Sequence, residues 1–168
     1  MELTILGAKD RKLTKALRLA ANFFGKTLLP PRLLKRIVLR ITIRDSLDAG
    51  AYCDFIPTTN PPKHFIIEIL RTRKKIDMFT ALAHEMVHLK QYATGELKDK
   101  KCKTKYVRKW RGETYEDDLS YWDHPWEFEA YGLQDSLVAK FLIEHDQFKN
   151  LRQRQMDWFV QPKENSEA

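Results

Sequence analysis

Apolar positions along the chain recur first at helical spacing, then at strand spacing, then at helical spacing again. Leu13, Ala16, Leu17 and Ala20 share one face of a helix predicted over residues 9–29, and Pro30-Pro31 stops that pattern. Residues 36–44 (RIVLRITIR) alternate apolar and basic positions with β-branched residues, which predicts a strand. Asp48-Ala49-Gly50 reads as a turn, residues 51–56 as a second strand, TTNPP from Thr58 as a loop, and residues 64–70 (HFIIEIL) as a third strand. A strongly apolar helix follows over 75–93, with Gly95 as its C-cap. Residues 97–109 read as a lysine-rich connector and 109–115 as a small hairpin turning at Gly112. A long helix is predicted from Pro125 to about Phe148, extended by 150–159, with residues 161–168 as a disordered tail. The expectation is one α+β domain over 1–160, with an N-terminal helix, a sheet of three strands or more, and two further helices.

Composition changes this picture little. At 168 residues with 43% hydrophobic content, the chain can bury one core. No run approaches the ~20 apolar residues of a membrane helix. The first residues put charge after a short apolar run, the reverse of a secretory signal, so the expected location is the cytoplasm. Cys53 and Cys102 lie far apart and form no CxxC pair, which excludes a cysteine-built zinc site and reads as two reduced thiols. A net charge of +7 suits an acidic partner. The basic run from Lys98 to Arg111 carries Tyr106 and Trp110. It suits nucleic-acid binding, or it is a solvated connector.

The chemistry is concentrated in His84-Glu85-Met86-Val87-His88. Each helical residue turns about 100°, so His84 and His88 lie about 40° apart on one face and reach one metal ion. Glu85 lies to the side, where a carboxylate takes a proton from water at that metal. Phe79, Leu82, Ala83 and Met86 form a stripe opposite the histidines. A catalytic zinc takes three protein ligands and keeps a position for water, so a third ligand is needed. With Glu127 set at zero, the apolar stripe of the last helix (Ala130, Leu133, Leu137, Val138, Phe141, Leu142) spans about −120° to +60°, and Glu127 falls inside it. Glu129 is about 200° away, beside Ser136 and Lys140, and reads as a solvated surface residue. Glu127 is therefore the favoured ligand, with Glu129 and the loop residue His124 as rivals. His64 and His145 read as structural or solvated, and Gln91 either orients His88 or is a surface glutamine.

HEMVHLKQYATGEL followed by YWDHPWEFEAYG resembles the compact metallopeptidases of the gluzincin type, including SprT-like and small phage-encoded predicted peptidases, over about residues 64–135. The resemblance implies a zincin-like fold, one zinc ion, peptide-bond hydrolysis with Glu85 as general base, and a protein or peptide substrate. It also implies a ligand glutamate in E-x-x-[AS]-[DN], whose first four positions Glu127-Phe128-Glu129-Ala130 match. Tyr131 stands where Asp or Asn is common, and either supports a ligand or holds the oxyanion, with Tyr121 and His124 as other donors. SprT proteases proper use a third histidine, for which His145 is the one candidate on a later helix of this chain. The resemblance further implies that the strand over 64–70 borders the cleft as the edge to which substrate pairs. The DNA-associated members suggest a protease acting on DNA-bound proteins. The other classes are a metal-stabilised binding or regulatory protein without turnover and a non-peptidase hydrolase.

Overall fold

The computed structural model describes residues 1–72, 74–101, 106–116 and 119–151. The elements run β1 (Glu2–Leu6), α1 (Arg11–Leu28), α2 (Pro31–Leu34), β2 (Val38–Arg44), β3 (Ala51–Ile56), β4 (His64–Leu70), α3 (Lys75–Thr94), β5 (Leu97–Lys101), β6 (Tyr106–Trp110), β7 (Glu113–Glu116) and α4 (Pro125–Glu144). The molecule is α+β, as the alternation of periods predicts.

β1, β2, β4 and β3 form one sheet in that order. β1, β2 and β4 are parallel, and β3 is antiparallel to β4. Period-two alternation sends Leu39, Ile41 and Ile43 of β2 and Phe65, Ile67 and Ile69 of β4 into the core, while Arg40, Arg44 and Glu68 face outward. Helix α3 lies across β3 and β4, with α1 and α4 packed beside it. One apolar cluster joins the helices to this sheet and reaches Leu97 and Trp110.

Several expectations are corrected here. β1 was not foreseen: five residues with an exposed outer row carry a weak strand pattern, and the strand forms by pairing in parallel with β2. Strand 64–70 is not an edge. β4 is flanked by β2 and β3, so β3 is the open edge on the side of α3. The lysine-rich segment is a second, three-stranded antiparallel sheet, β5-β6-β7, rather than an irregular connector. Among its described side chains, Leu97 and Trp110 face the core, so the pattern is masked by lysines on the outer face. Helix α3 is buried on all sides rather than along one stripe. Helix α4 ends at Glu144, and His145 donates from Nδ1 to the Phe141 carbonyl (2.9 Å) while its ring packs on Phe141 and Phe23. His145 is thus structural. Cys102, residues 152–159 and the tail 161–168 lie outside the described residues. No described helix is long and apolar enough to cross a membrane.

Candidate metal centre

Two helix ends place the site. Helix α3 closes at Gly95, whose left-handed φ of 78° lets its N–H bond to the Tyr92 carbonyl (3.0 Å) before the chain turns into β5. Lys63, at the entry to β4, donates to the Ala93 carbonyl in the last turn (2.8 Å), which pins this end of α3 to the sheet. Helix α4 begins at Pro125, and the His124 carbonyl accepts from the N–H groups of Glu127 and Phe128 (3.0 Å each). The His124 ring is stacked on Trp126 at 4.5 Å and is buried. It secures the helix start and lies outside the group of residues that could hold a metal.

With the two helices so placed, His84 Nε2, His88 Nε2 and Glu127 Oε2 converge. The three separations are 3.1, 3.3 and 3.4 Å. Ligand atoms about 2.0–2.2 Å from a tetrahedral zinc lie about 3.3 Å apart, so the triangle has the dimensions of a zinc site. These three residues form the one metal-competent group found among the described residues, and all three are buried. Glu127 is thus the third member of the set.

The outer partners orient both rings, and that of His88 fixes its tautomer. His88 Nδ1 lies 2.8 Å from Gln91 Oε1, and His84 Nδ1 lies 3.0 Å from Gln134 Oε1. The Gln91 amide nitrogen faces two groups that only accept, the Trp126 carbonyl and the Glu129 carboxylate, at 2.9 Å each. Gln91 Oε1 must therefore be the acceptor for a proton on His88 Nδ1, which leaves Nε2 with its lone pair. With His84 in the same tautomer, two such nitrogens and a carboxylate oxygen at 3.1–3.4 Å repel unless a cation or shared proton lies among them. The donor set, two imidazoles and one carboxylate with outer hydrogen bonds, fits a divalent zinc ion.

Without a metal, a proton on Nε2 takes the place of the ion and lets the histidines donate to Glu127. Burial alone would lift the Glu127 carboxyl, but hydrogen bonds from His84, His88 and Tyr121 hold it well below its ordinary range. Burial alone would lower His88, yet its contact with Glu127 raises it. Burial raises Glu85 above the ordinary carboxylate value, against the pull of the two histidines. Glu85 lines both clefts at this centre, of ≈ 410 and ≈ 460 Å³, and β3 with the residues before it (Ala49, Ala51, Cys53) forms the facing wall.

Both tyrosines reach the site, Tyr121 through its hydroxyl and Tyr131 through its ring. The Tyr121 hydroxyl, from the turn before α4, donates to Glu127 Oε2 at 2.7 Å and lines both clefts. The Tyr131 ring sits against His84 with centroids 4.6 Å apart and opens onto one cleft only. Tyr121 is accordingly the better placed hydroxyl, and Tyr131 buttresses His84.

Glu129 is not solvated. It accepts from Arg111 at 2.6 Å and from Gln91, with Lys90 at 3.4 Å, and Lys90 and Arg111 also bind Glu96. Helical phase put it away from the apolar stripe of α4. That side, however, meets the end of α3 and the β6–β7 turn, where Arg111 takes a positive φ of 48°. The Gln91–Glu129 link was the part of the site that spacing alone could not find. Its one signal was a glutamine three residues after His88, on the ligand face of α3. No family model, curated protein or solved structure matches this chain.

Proposed function

We propose that this chain is a zinc-dependent peptidase in which His84, His88 and Glu127 hold the ion and Glu85 is the general base. The observation that carries the reading is the 3.1–3.4 Å triangle of ligand atoms with Glu85 beside it in an open cleft. Zinc, when bound, would lower the pKa of water to ~7 and polarise the scissile carbonyl. Glu85, one residue from His84 and raised by burial, takes the proton from the attacking water and returns it to the departing amine. Gln134 and Gln91 hold the imidazoles with Nε2 inward, and Tyr121 supplies a hydroxyl next to the ligand oxygen that can turn to the developing oxyanion. The open edge of β3 along the cleft offers backbone groups to an extended peptide, which is why a peptide is the substrate class favoured over a small ester or amide.

The test is metal content and proteolysis on the same preparations. Wild-type protein should hold one zinc and cleave an unfolded protein such as casein. Glu85→Gln should hold zinc and lose cleavage by about 10²–10⁴-fold or more. Full activity in Glu85→Gln, or a folded wild type that takes up no zinc, overturns the proposal. Zinc uptake without any hydrolysis by wild type would indicate a metal-stabilised binding protein.

A further inference from the structure

The groove beside the metal centre continues past it. The cleft of ≈ 460 Å³ that holds the ligands and a second cavity of ≈ 510 Å³ share Tyr92 and Leu97 as walls. Strand β3 runs along both: Ala51 and Cys53 line the first, and Phe55 lines the second. Ala51 and Phe55 are four residues apart, about 13 Å of strand. A peptide paired to the open edge of β3, with its reacting bond beside Glu85, therefore lays a residue about four positions away over the second cavity.

The walls of that cavity are specific. Phe55 and Tyr92 form an aromatic floor, with ring centroids 4.8 Å apart. Opposite them stand Lys98 of β5 and Lys109 of β6, which are direct cross-strand partners. Like charges facing each other across a sheet are destabilising unless something anionic lies between them. Asp99 also lines the cavity, but its carboxylate is engaged by the Tyr92 hydroxyl at 3.2 Å and Arg108 at 3.4 Å. Among the described residues, neither lysine has an ion-pair partner. An apolar floor under two unmatched cations complements a short aliphatic stem that ends in a carboxylate.

We propose that this cavity is an acidic-residue subsite: the chain selects extended peptides carrying glutamate or aspartate about four residues from the bond that is cut, with the carboxylate between Lys98 and Lys109. The inference rests on the peptidase reading for the path of the peptide. A nucleic-acid strand is disfavoured, because it needs a row of cations along its phosphates. Here two lysines face a cavity that is continuous with the catalytic cleft.

The test is binding without turnover. Zinc-loaded Glu85→Gln protein is titrated into fluorescein-labelled alanine-based peptides that differ only in a short run of glutamates or glutamines, and anisotropy is read. The glutamate peptide should bind about tenfold tighter. Adding Lys98→Gln and Lys109→Gln together should abolish that preference, and Lys98→Glu with Lys109→Glu should transfer it to a lysine peptide. Urea unfolding checks the fold. The glutamine pair should unfold at an equal or higher concentration than its parent, because a repulsion is relieved. Equal affinity of the parent for both peptides, or a preference that survives the double substitution, overturns the proposal. So does lysine-dependent binding of a short oligothymidylate in preference to the glutamate peptide. Failure of the peptidase reading registers elsewhere, as wild-type protein that cleaves nothing, whereas the anisotropy preference requires no cleavage.

Discussion

Gln91 is the residue whose removal most sharply tests how the metal centre is built. It is 0% exposed and holds three partners at once: His88 Nδ1 at 2.8 Å, the Trp126 carbonyl at 2.9 Å and Glu129 at 2.9 Å. Leucine has nearly the same volume, so Gln91→Leu deletes these bonds without opening a cavity. The His88 N–H is left buried without its acceptor, at a cost of about 1–3 kcal/mol, and the Trp126 carbonyl loses a second donor. Loss of an outer partner of a ligating histidine typically lowers metal affinity about 10–100-fold, equivalent to about 1.4–2.7 kcal/mol. Zinc affinity is read by competition with a chromophoric chelator, and stability by urea unfolding of the metal-free protein; both should fall. Gln91→Glu separates the two effects. It keeps an acceptor for His88, so zinc affinity should fall less than with leucine. It also sets a carboxylate against Glu129 and removes both donors, so the metal-free protein should lose at least as much stability. If Gln91→Leu binds zinc with wild-type affinity while its unfolding midpoint drops, Gln91 is only a strut between α3 and α4 and the assigned tautomer of His88 has no bearing on the metal.

Further expectations concern the ligands, pH and the core. Glu127→Gln should lose zinc on dialysis, whereas Glu129→Gln should keep it with an affinity lowered by at most about 10-fold, measured by atomic emission and chelator competition. The reverse order would exchange their roles. In the metal-free protein, the depressed Glu127 carboxyl contributes stability that is present above its ordinary value of 4.5 and lost as pH falls through its lower folded value. The raised His88 contributes stability that is fully present below its ordinary value of 6.5 and lost as pH rises through its higher folded value. Urea midpoints should therefore peak between those two pH values without metal. Saturating zinc should reverse the alkaline decline, since ligation requires unprotonated Nε2; a decline that persists with zinc contradicts the ligand set. Phe141 is fully buried, with ring centroids 5.7 Å from Phe24 and 5.3 Å from Phe79, so Phe141→Ala should cost about 3–5 kcal/mol in denaturant unfolding.

Much of the fold could be read from periodicity, and the failures share one cause. α1, α3, α4, β2, β3 and β4 each carry an apolar row long enough to show their period. Strand β1 is five residues long with a half-exposed row, and among the described side chains β5 and β6 bury Leu97, Val107 and Trp110, so pairing partners distant in sequence decide their structure. The order of strands was equally hidden. Residues 64–70 are the most apolar strand, and that is the mark of an inner strand rather than of the edge beside the cleft. At the site, His84, Glu85 and His88 follow from spacing on one helix, and the phase of α4 singles out Glu127, which the fold brings to both histidines. The same phase misplaces Glu129, because a helical wheel separates apolar from polar faces but does not know which neighbour covers the polar one. Lys90, Arg111 and Gln91 come from α3 and a β-turn, so only the assembled fold shows that this polar face is packed.

That packed polar face also bears on the chemistry. Both ligand histidines are backed by neutral amides, so the first ligands contribute a single negative charge, that of Glu127. A carboxylate in the place of Gln91 or Gln134 would push charge onto the ion and blunt its pull on water and carbonyl. Glu129 supplies a carboxylate one step farther out, polarising Gln91 through its amide while its own charge is met by Arg111 and Lys90. The arrangement holds His88 firmly without adding net charge beside the position that a bound ion would take. Among the described residues, Glu85 is the one other carboxylate lining the cleft that holds His84, His88 and Glu127, the position that the proposed general base requires. The β5–β7 sheet thereby acts on the metal centre from both directions: Arg111 at its turn steadies His88 through Glu129 and Gln91, and Lys98 and Lys109 on its outer face shape the far end of the groove.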